Sequence, residues 1–330
     1  MSSNRENIKR FFKQFKTNAK VLVIINADPD AIASAMAVKR LLWRKVAEVV
    51  IAHFNRISRP DNLTLIQLTE PGLKDLAEVD RSGFDNYVIV DSQPDHNAAF
   101  AGIAYTAIID HHPVSSPDAA YTDIRPGYGT CSTILTEYLK SGKIKPSPKL
   151  AAALMMGIKT DTADFTRQST SRDIRAFQYL YKFADNNIVT KVERAFFTDE
   201  DLDFLGNAIK KRQVKNNRVF YHAGKISKPD ELVMVADFFL TIVGVNWSIV
   251  SGVMDRKLIV ILRNDGLRKG AGNTAKEAFS QYGSAGGHKT MARAELSLYH
   301  IRKDTGSVAQ KVLTDWIREK IAKTAGKKIE

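Results

Sequence analysis

The chain has 330 residues, of which 44% are hydrophobic and 26% are charged, and this composition excludes a mainly disordered protein. A single cysteine, Cys131, excludes an internal disulfide framework and a multi-cysteine zinc site, and it is typical of a cytoplasmic protein. The net charge is +13, and residues 201–330 hold 23 Lys and Arg against 13 Asp and Glu. This uneven charge indicates either a second part that binds an anion or a solubilising surface.

Short apolar runs alternate with helical patterns through the first two-thirds of the chain. The predicted strands cover residues 21–25, 49–54, 87–90 and 107–109, and the predicted helices cover 31–43, 131–139, 150–158 and 171–183. Strands rich in β-branched residues that alternate with helices predict βαβ units. We therefore expect an α/β fold whose first domain is a parallel sheet with helices on both faces.

The last third of the chain predicts a smaller α/β domain. Its expected elements are a strand at 218–222, a helix at 230–243 and a strand pair at 247–254 and 257–263. The pair is joined at Asp255-Arg256, which suits a tight hairpin turn. The predicted domains are residues 1–185 and 217–330, with a helical connection at 186–216. The longest apolar stretch is interrupted by Asp237, Asn246 and Ser248, so we expect no membrane span.

Acidic and histidine residues directly follow three of the predicted strands. They are Asp28, Asp30, Asp91, Asp110, His111 and His112. Because the carboxyl ends of parallel strands open onto one crevice, these side chains are expected to converge. Carboxylates with imidazoles and no thiolate favour a divalent ion such as Mn²⁺ or Mg²⁺. Two such ions, about 3.5–4 Å apart, would hold the attacking and leaving oxygens of a phosphoryl group.

Each of these groups of acidic and histidine residues, taken alone, also has a structural explanation. An Asp between a strand and a helix is commonly a helix N-cap, and Asp28-Pro29-Asp30 alone is typical of a turn. Two adjacent histidines after a buried strand are seldom needed for packing. The combination in a βαβ context therefore predicts a metal site.

At these residues the sequence resembles the DHH phosphoesterase family. Its ordered motifs are Asp28-Pro-Asp-Ala-Ile-Ala-Ser34, the isolated Asp91, Asp110-His111-His112-Pro113 and Gly157-Ile-Lys-Thr-Asp161-Thr162. The C-terminal part is similar to the associated DHHA1 domain, whose glycine-rich signature stands here as Gly283-Ser-Ala-Gly286-Gly287-His288. By architecture the chain is most similar to the nanoRNase and pAp-phosphatase group, with RecJ-like exonucleases more distant.

The resemblance implies specific roles for these residues. Asp30, Asp91, His111 and Asp161 would bind one Mn²⁺, and Asp28 with the bridging Asp91 would bind a second ion. His112 would contact the scissile phosphate, and Asp110 would orient the imidazoles. Substrate-binding residues in the DHHA1 part would be Arg263, Gly286, Gly287 and His288. The active site would lie in the cleft between the domains.

One departure from the family pattern concerns the second ion. The family usually has a histidine ligand four residues before the first Asp of Asp-x-Asp, and this chain has Ile24 there. Three outcomes are open: a site completed only by substrate, an enzyme with one metal, or a protein that binds and barely cleaves.

The resemblance implies a cytoplasmic, Mn²⁺-dependent phosphoesterase, with Mg²⁺ or Co²⁺ as other ions and one or two ions bound. Metal-activated hydroxide would hydrolyse short oligonucleotides, linear dinucleotides or 3′-phosphoadenosine 5′-phosphate. The alternatives are a non-catalytic nucleotide- or RNA-binding module and a pyrophosphatase or polyphosphatase. No membrane partner is expected, and a homodimer is an option. Cys131 is expected to pack at the start of a helix, and Gly270-Ala271-Gly272 is expected to form a turn. The isolated histidines at 53, 96, 222 and 300 are expected to have a structural or surface role.

Overall fold

A computed structural model describes residues 4–115, 118–195, 197–267 and 269–325. The chain divides into two compact units, Met1–Phe196 (unit 1) and Phe197–Glu330 (unit 2). The strands of unit 1 are β1 Lys20–Ile25, β2 Glu48–His53, β3 Leu73–Asp75, β4 Asn86–Val90, β5 Tyr105–Asp110 and β6 Ala119–Ile124. Its helices are α1 Asn4–Phe12, α2 Pro29–Leu42, α3 Pro60–Thr69, α4 Cys131–Ser141, α5 Pro148–Asp161, α6 Ser171–Tyr181 and α7 Asn186–Glu193.

The six strands of unit 1 form one sheet in the order β3-β2-β1-β4-β5-β6. Every neighbouring pair is parallel. This is the doubly wound order, in which the chain turns to opposite sides after β1 and after β4. The carboxyl ends of β1 and β4 therefore border the crevice where such sheets bind ligands.

Alternate residues of β1 enter two different hydrophobic clusters. Val21, Val23 and Ile25 pack with the long helices, including α2, α4 and α5. Leu22 and Ile24 belong to the cluster on the other face, which contains residues of the short 3₁₀ helices Leu76–Glu78 and Ala98–Phe100. Both faces of β1 are buried, as expected for a central parallel strand.

Unit 2 contains a mixed sheet in the order β11-β12-β10-β9-β8-β7. Its strands are β7 Gln213–Lys215, β8 Arg218–Lys225, β9 Trp247–Met254, β10 Lys257–Asn264, β11 Gly283–Gly287 and β12 Met291–Ser297. Its helices are α8 Asp199–Lys211, α9 Asp230–Leu240, α10 Ala271–Phe279, α11 Leu298–Thr305 and α12 Gln310–Ala325. Only β8 and β9 pair in parallel, and the other neighbouring pairs are antiparallel.

The predicted α/β fold with a parallel sheet and a smaller second α/β part is confirmed. The hairpin at Asp255-Arg256 is also confirmed, since both residues have positive φ (47° and 61°), as a two-residue turn of this kind requires. The expected turn at residues 270–272 is wrong, because α10 begins at Ala271 and its first amides donate to the carbonyls of Lys289 and His288.

The segment expected to be a connection, residues 186–216, contains α7, α8 and β7. Ile188, Val189 and Val192 of α7 pack into the core of unit 1, whereas Leu205 and Ala208 of α8 pack into unit 2. The domain limits given by the sequence remain a prediction. Within the described ranges, none of the helices combines the length and the apolar character that a bilayer crossing requires.

Candidate metal centre

Four of the predicted ligands meet at the carboxyl edge of the parallel sheet. Asp30, Asp91, His111 and Asp161 each offer a ligand atom, and all four atoms lie within 4.8 Å of one another. Asp30 lies in the first turn of α2, Asp91 directly follows β4, His111 directly follows β5, and Asp161 is the last residue of α5. These are the four residues that the family resemblance assigns to one Mn²⁺.

The backbone of Asp91 is strained at this point. Its φ is +58°, in the left-handed region that non-glycine residues seldom adopt. The Asp91 amide donates to the carbonyl of Ile109 on the adjacent strand, at 3.0 Å. The strain is consistent with a side chain held for function, since such conformations concentrate at active sites.

Asp30 is fixed by the amino end of α4. Its Oδ2 accepts from the amide of Cys131 and its Oδ1 from the amide of Ser132, both at 2.7 Å. Asp30 is fully buried. Two backbone donors leave further lone pairs on the carboxylate, so it stays a competent metal ligand.

The imidazole of His111 lies between two carboxylates. Its Nε2 is 3.3 Å from Oδ1 of Asp91 and 3.3 Å from Oδ2 of Asp161. Among the residues that the structure describes, neither His111 Nε2 nor Asp91 Oδ1 has a hydrogen-bond partner, although both atoms are buried. At the other side of the ring, Nδ1 lies 3.4 Å from the carbonyl of Tyr128. A proton on Nδ1 would leave the Nε2 lone pair for a metal ion.

The electrostatics of the cluster also favour a cation. Burial, followed by repulsion from Asp161, raises the pKa of Asp28 to about 6. Burial and neighbouring carboxylates also raise the pKa of Asp30 and of Asp91 above the usual range. Burial acts against protonation of His111, but Asp161 and Asp91 outweigh it and raise its pKa to about 11. Crowded carboxylates and buried unpartnered donor atoms fit a divalent ion with oxygen and nitrogen ligands.

Asp28 is not one of the four residues whose ligand atoms lie within 4.8 Å of one another. It is the N-cap of α2, and its Oδ1 accepts from the amide of Ala31 at 2.9 Å. Ile24, at the position of the family histidine, is fully buried in the apolar cluster that also contains Leu22 and Ile89. The second-ion site of the resemblance therefore remains a prediction.

Asp110 and His112 form a hydrogen-bonded pair beside the cluster. His112 Nδ1 lies 2.8 Å from Oδ1 of Asp110, and the amide of His111 donates to the same oxygen. Gln93, which the sequence analysis did not single out, donates from Nε2 to Oδ2 at 2.6 Å. Burial acts to raise the pKa of Asp110, but these hydrogen bonds outweigh it and lower the pKa. An ionised Asp110 holds the His112 proton on Nδ1 and leaves Nε2 for a substrate.

His96, which is isolated in the sequence, is exposed and lies beside His112 in the structure. Its ring lies edge-on to that of His112, with centroids 5.4 Å apart, and it forms a further potential ligand group with Asp110 and His112. The amide of Gln93 donates to Nδ1 of His96 at 3.3 Å. The neutral ring therefore carries its proton on Nε2, which makes His96 a hydrogen-bond donor rather than a metal ligand.

The predicted substrate residues lie at one end of the unit 2 sheet, on β10 and β11, which flank β12, and directly after β11. Arg263 on β10 pairs with Met291 on β12, whose carbonyl accepts from the amide of His288 at 2.7 Å. Gly286 and Gly287 end β11. A Cβ on Gly287 would lie 2.3 Å from the Met291 carbonyl oxygen, so a larger residue is excluded there. Arg263 Nε pairs with Asp237 Oδ1 at 2.6 Å.

Comparison with known proteins identifies the family. The family model described as "DHH family, N-terminal domain" matches residues 20–158. An uncharacterized protein of Methanocaldococcus jannaschii is 32% identical over 333 residues, which cover 98% of this chain and 69% of that protein.

Two functionally named relatives are more distant. A probable manganese-dependent inorganic pyrophosphatase of Deinococcus radiodurans is 28% identical over 183 residues, which cover 52% of this chain and 56% of that protein. The cyclic-di-AMP phosphodiesterase GdpP of Geobacillus thermodenitrificans is 28% identical over 214 residues, which cover 58% of this chain and 30% of that protein. The chain thus spans only about half and about a third of these two relatives.

The fold is shared with a solved structure. An exopolyphosphatase-related protein of Bacteroides fragilis superposes with a TM-score of 0.66 at 16% sequence identity, covering 97% of this chain and 96% of that one. The relative that aligns with 98% of this chain, the family match and the four converging ligands agree: the chain belongs to the DHH family of phosphoesterases, metal-dependent hydrolases of phosphoric esters.

Proposed function

We propose that the chain is a Mn²⁺-dependent hydrolase of small nucleotide substrates, namely short oligonucleotides, linear dinucleotides or 3′-phosphoadenosine 5′-phosphate. The observation that carries the proposal is the convergence of Asp30, Asp91, His111 and Asp161 beside the Asp110–His112 pair. In support, two of the relatives are named a manganese-dependent pyrophosphatase and a cyclic-dinucleotide phosphodiesterase.

The four clustered side chains would hold the ion. When bound, it would draw charge from the phosphate oxygens and acidify water next to it. The Asp30 carboxylate keeps its orientation through the amides of Cys131 and Ser132. Because these donors belong to the backbone of α4, Asp30 needs no reorganisation when an ion binds.

His112 would contact the scissile phosphate through Nε2. Its Nδ1 is engaged by Asp110, which is itself held by Gln93. This arrangement fixes the orientation of the ring and leaves Nε2 for the substrate. His96, which donates from Nε2, would bind a further anionic oxygen of the same substrate.

Arg263, Gly286, Gly287 and His288 would bind the terminal phosphate or the base. The positive charge of residues 201–330 supports an anionic substrate. The glycine-rich β11 allows an anion to approach backbone amides closely. Pyrophosphate is the competing substrate, since one relative is named an inorganic pyrophosphatase.

The test is hydrolysis of the linear dinucleotide pApA, of 3′-phosphoadenosine 5′-phosphate and of pyrophosphate, with Mn²⁺, Mg²⁺ or Co²⁺. We expect turnover of at least one nucleotide, and a loss of at least 10–100-fold in Asp91→Asn and in His111→Ala. Asp164→Asn is the matched control, because Asp164 lies close to Asp161 in sequence, is exposed and is outside the cluster. Nucleotide binding without turnover under any of these ions, or turnover of pyrophosphate alone, would overturn the proposal.

A further inference from the structure

A cavity of unit 1 lies at the amino edge of the sheet. Its volume is about 540 Å³, within the range of small-ligand sites. The carboxyl-terminal half of α2 and the start of α5 form its walls. The metal-site residues lie at the opposite ends of the same helices, and 14 residues of α2 span about 20 Å. The cavity is therefore separate from the metal centre.

The charged side chains that line this cavity are mostly cationic. They are Lys39, Arg40, Lys145 and Glu70. The one acid, Glu70, is already paired with Lys149, whose Nζ lies 2.5 Å from its Oε2. Arg40 donates to the carbonyl of Lys145 at 3.3–3.4 Å, which fixes a guanidinium at the wall. The cavity therefore attracts an anion.

An exposed tryptophan forms another wall. The Trp43 side chain is 57% exposed. The guanidinium of Arg44 lies 4.4 Å from its ring centroid and that of Arg40 lies 4.9 Å away. These contacts hold the indole in place. A base that stacks on Trp43 would take the place of one of the two guanidinium groups, and a base that stacks on Arg40 would lie on the face of the guanidinium turned away from the indole.

We infer that this cavity is a second nucleotide-binding site, in which Trp43 and Arg40 contact the base and Lys39 and Lys145 bind the phosphate. Flat aromatic and guanidinium surfaces beside apolar walls match a base, and two lysines match a phosphate. Lys39 Nζ donates to the carbonyl of Pro71 at 3.4 Å, and Lys145 Nζ lies 5.4 Å from the ring centroid of Phe183, so each ammonium group would exchange its present contact for the phosphate. This inference does not depend on the proposed activity.

The test is binding of 5′-AMP to the full chain in EDTA, measured by isothermal titration calorimetry. Without divalent ions the metal centre cannot recruit the phosphate, so binding there is minimised. We expect a saturable site whose affinity is reduced at least tenfold in Trp43→Ala and in Lys145→Glu and is unchanged in Arg263→Ala. Adenosine and ribose 5-phosphate should each bind at least tenfold more weakly than AMP.

Matched controls are available in the same unit. Tyr181→Ala removes another exposed aromatic side chain, and Lys74→Glu reverses another exposed positive charge. Both should bind AMP like the unaltered chain, and so should His112→Ala. Equal AMP affinity in Trp43→Ala, or no saturable binding at all, would refute the site. Sedimentation velocity provides a further test. If the unaltered chain is a dimer and Trp43→Ala and Lys145→Glu are monomers, this face is an interface between copies rather than a nucleotide site.

Discussion

Gly157 lies directly against Asp30. A Cβ built on Gly157 would lie 3.0 Å from Oδ1 of Asp30 and 2.4 Å from Oγ of Ser132. Gly157 belongs to the last turns of α5, and Asp30 to the first turn of α2. The absence of a side chain thus lets α5 approach the buried carboxylate of a proposed metal ligand.

We therefore predict that Gly157→Ala weakens metal binding as well as folding. The added methyl group must displace Ser132 or the backbone of α2, at a cost of about 1–3 kcal/mol in the free energy of unfolding. The displacement moves Asp30, so the dissociation constant for Mn²⁺ should rise about tenfold or more. Calorimetric titration with Mn²⁺ and chemical denaturation measure the two effects.

Gly206→Ala is the control for this substitution. Gly206 lies inside α8, and nothing lies within 4 Å of the position of its Cβ. Alanine should stabilise unit 2 by up to about 1 kcal/mol and leave Mn²⁺ binding unchanged. Unchanged Mn²⁺ affinity in Gly157→Ala would show that Asp30 is not positioned by this contact.

Ile24→His should restore a nitrogen ligand at the family position. We expect activity at lower Mn²⁺ concentrations, together with a loss of stability, since Ile24 is fully buried among apolar residues. Leu22→His is the matched control, because Leu22 is equally buried in the same cluster two residues earlier. If activity depends on the Mn²⁺ concentration in the same way in Ile24→His and in the unaltered chain, the residue at position 24 does not limit the binding of a second ion.

His96→Ala should weaken substrate binding more than it slows the chemical step. A hydrogen bond to a charged oxygen contributes about 1.5–3 kcal/mol, which corresponds to an increase in KM of roughly 10–100-fold. His96→Gln retains an N–H donor and should recover part of the loss. Steady-state kinetics at saturating Mn²⁺ separate KM from kcat. If kcat falls while KM is unchanged, His96 acts in the transition state rather than in binding.

Arg263→Ala should raise KM with a smaller effect on kcat if Arg263 binds a remote phosphate. Asp237→Asn is an informative companion, because Asp237 is the ion-pair partner of Arg263. Its removal frees the guanidinium for substrate, so KM should stay the same or fall. An increase in KM in Asp237→Asn similar to that in Arg263→Ala would indicate that the ion pair, rather than Arg263 alone, shapes the site.

Unit 2 should lose stability in mild acid because of His222. Burial lowers the pKa of His222 to about 4, and its Nδ1 lies 2.9 Å from Oγ of Ser251. Between the pKa near 6.5 in the unfolded chain and about 4 in the folded chain, the unfolded state binds more protons. Stability therefore falls as the pH drops through this window, by up to about 3 kcal/mol.

The measurement is denaturant unfolding between pH 7.5 and 4 in a Trp43→Phe background. Trp247 and Trp316 then report on unit 2, where both residues lie. His222→Gln should have a shallower dependence on pH than the parent. Equal slopes for the two proteins would exclude His222 as the cause.

The sequence predicted the sheet and the meeting point of the ligands because both follow from local patterns. Apolar β-branched runs mark buried parallel strands, and the residues after such strands share one edge of the sheet. The position of Asp91 and His111 at this edge follows from their place in the sequence, directly after β4 and β5. Asp161 was assigned through its motif, since it ends a helix rather than a strand.

The supporting contacts could not be predicted in this way. Asp30 is held by the amides of Cys131 and Ser132, about a hundred residues away, and backbone amides carry no sequence signature. Gln93 and His96 reach Asp110 and His112 through the conformation of the loop after β4. The N-cap role of Asp28 was foreseen as an alternative, but only the geometry distinguishes a cap from a ligand.

Helices α2 and α5 each carry a carboxylate of the metal centre at one end and a wall of the Trp43 cavity at the other. A lengthwise displacement of either helix would therefore move a cavity wall and a carboxylate of the metal centre together. Ion affinity could thus be tuned by substitutions on the far side of unit 1, without altering any group that touches the ion.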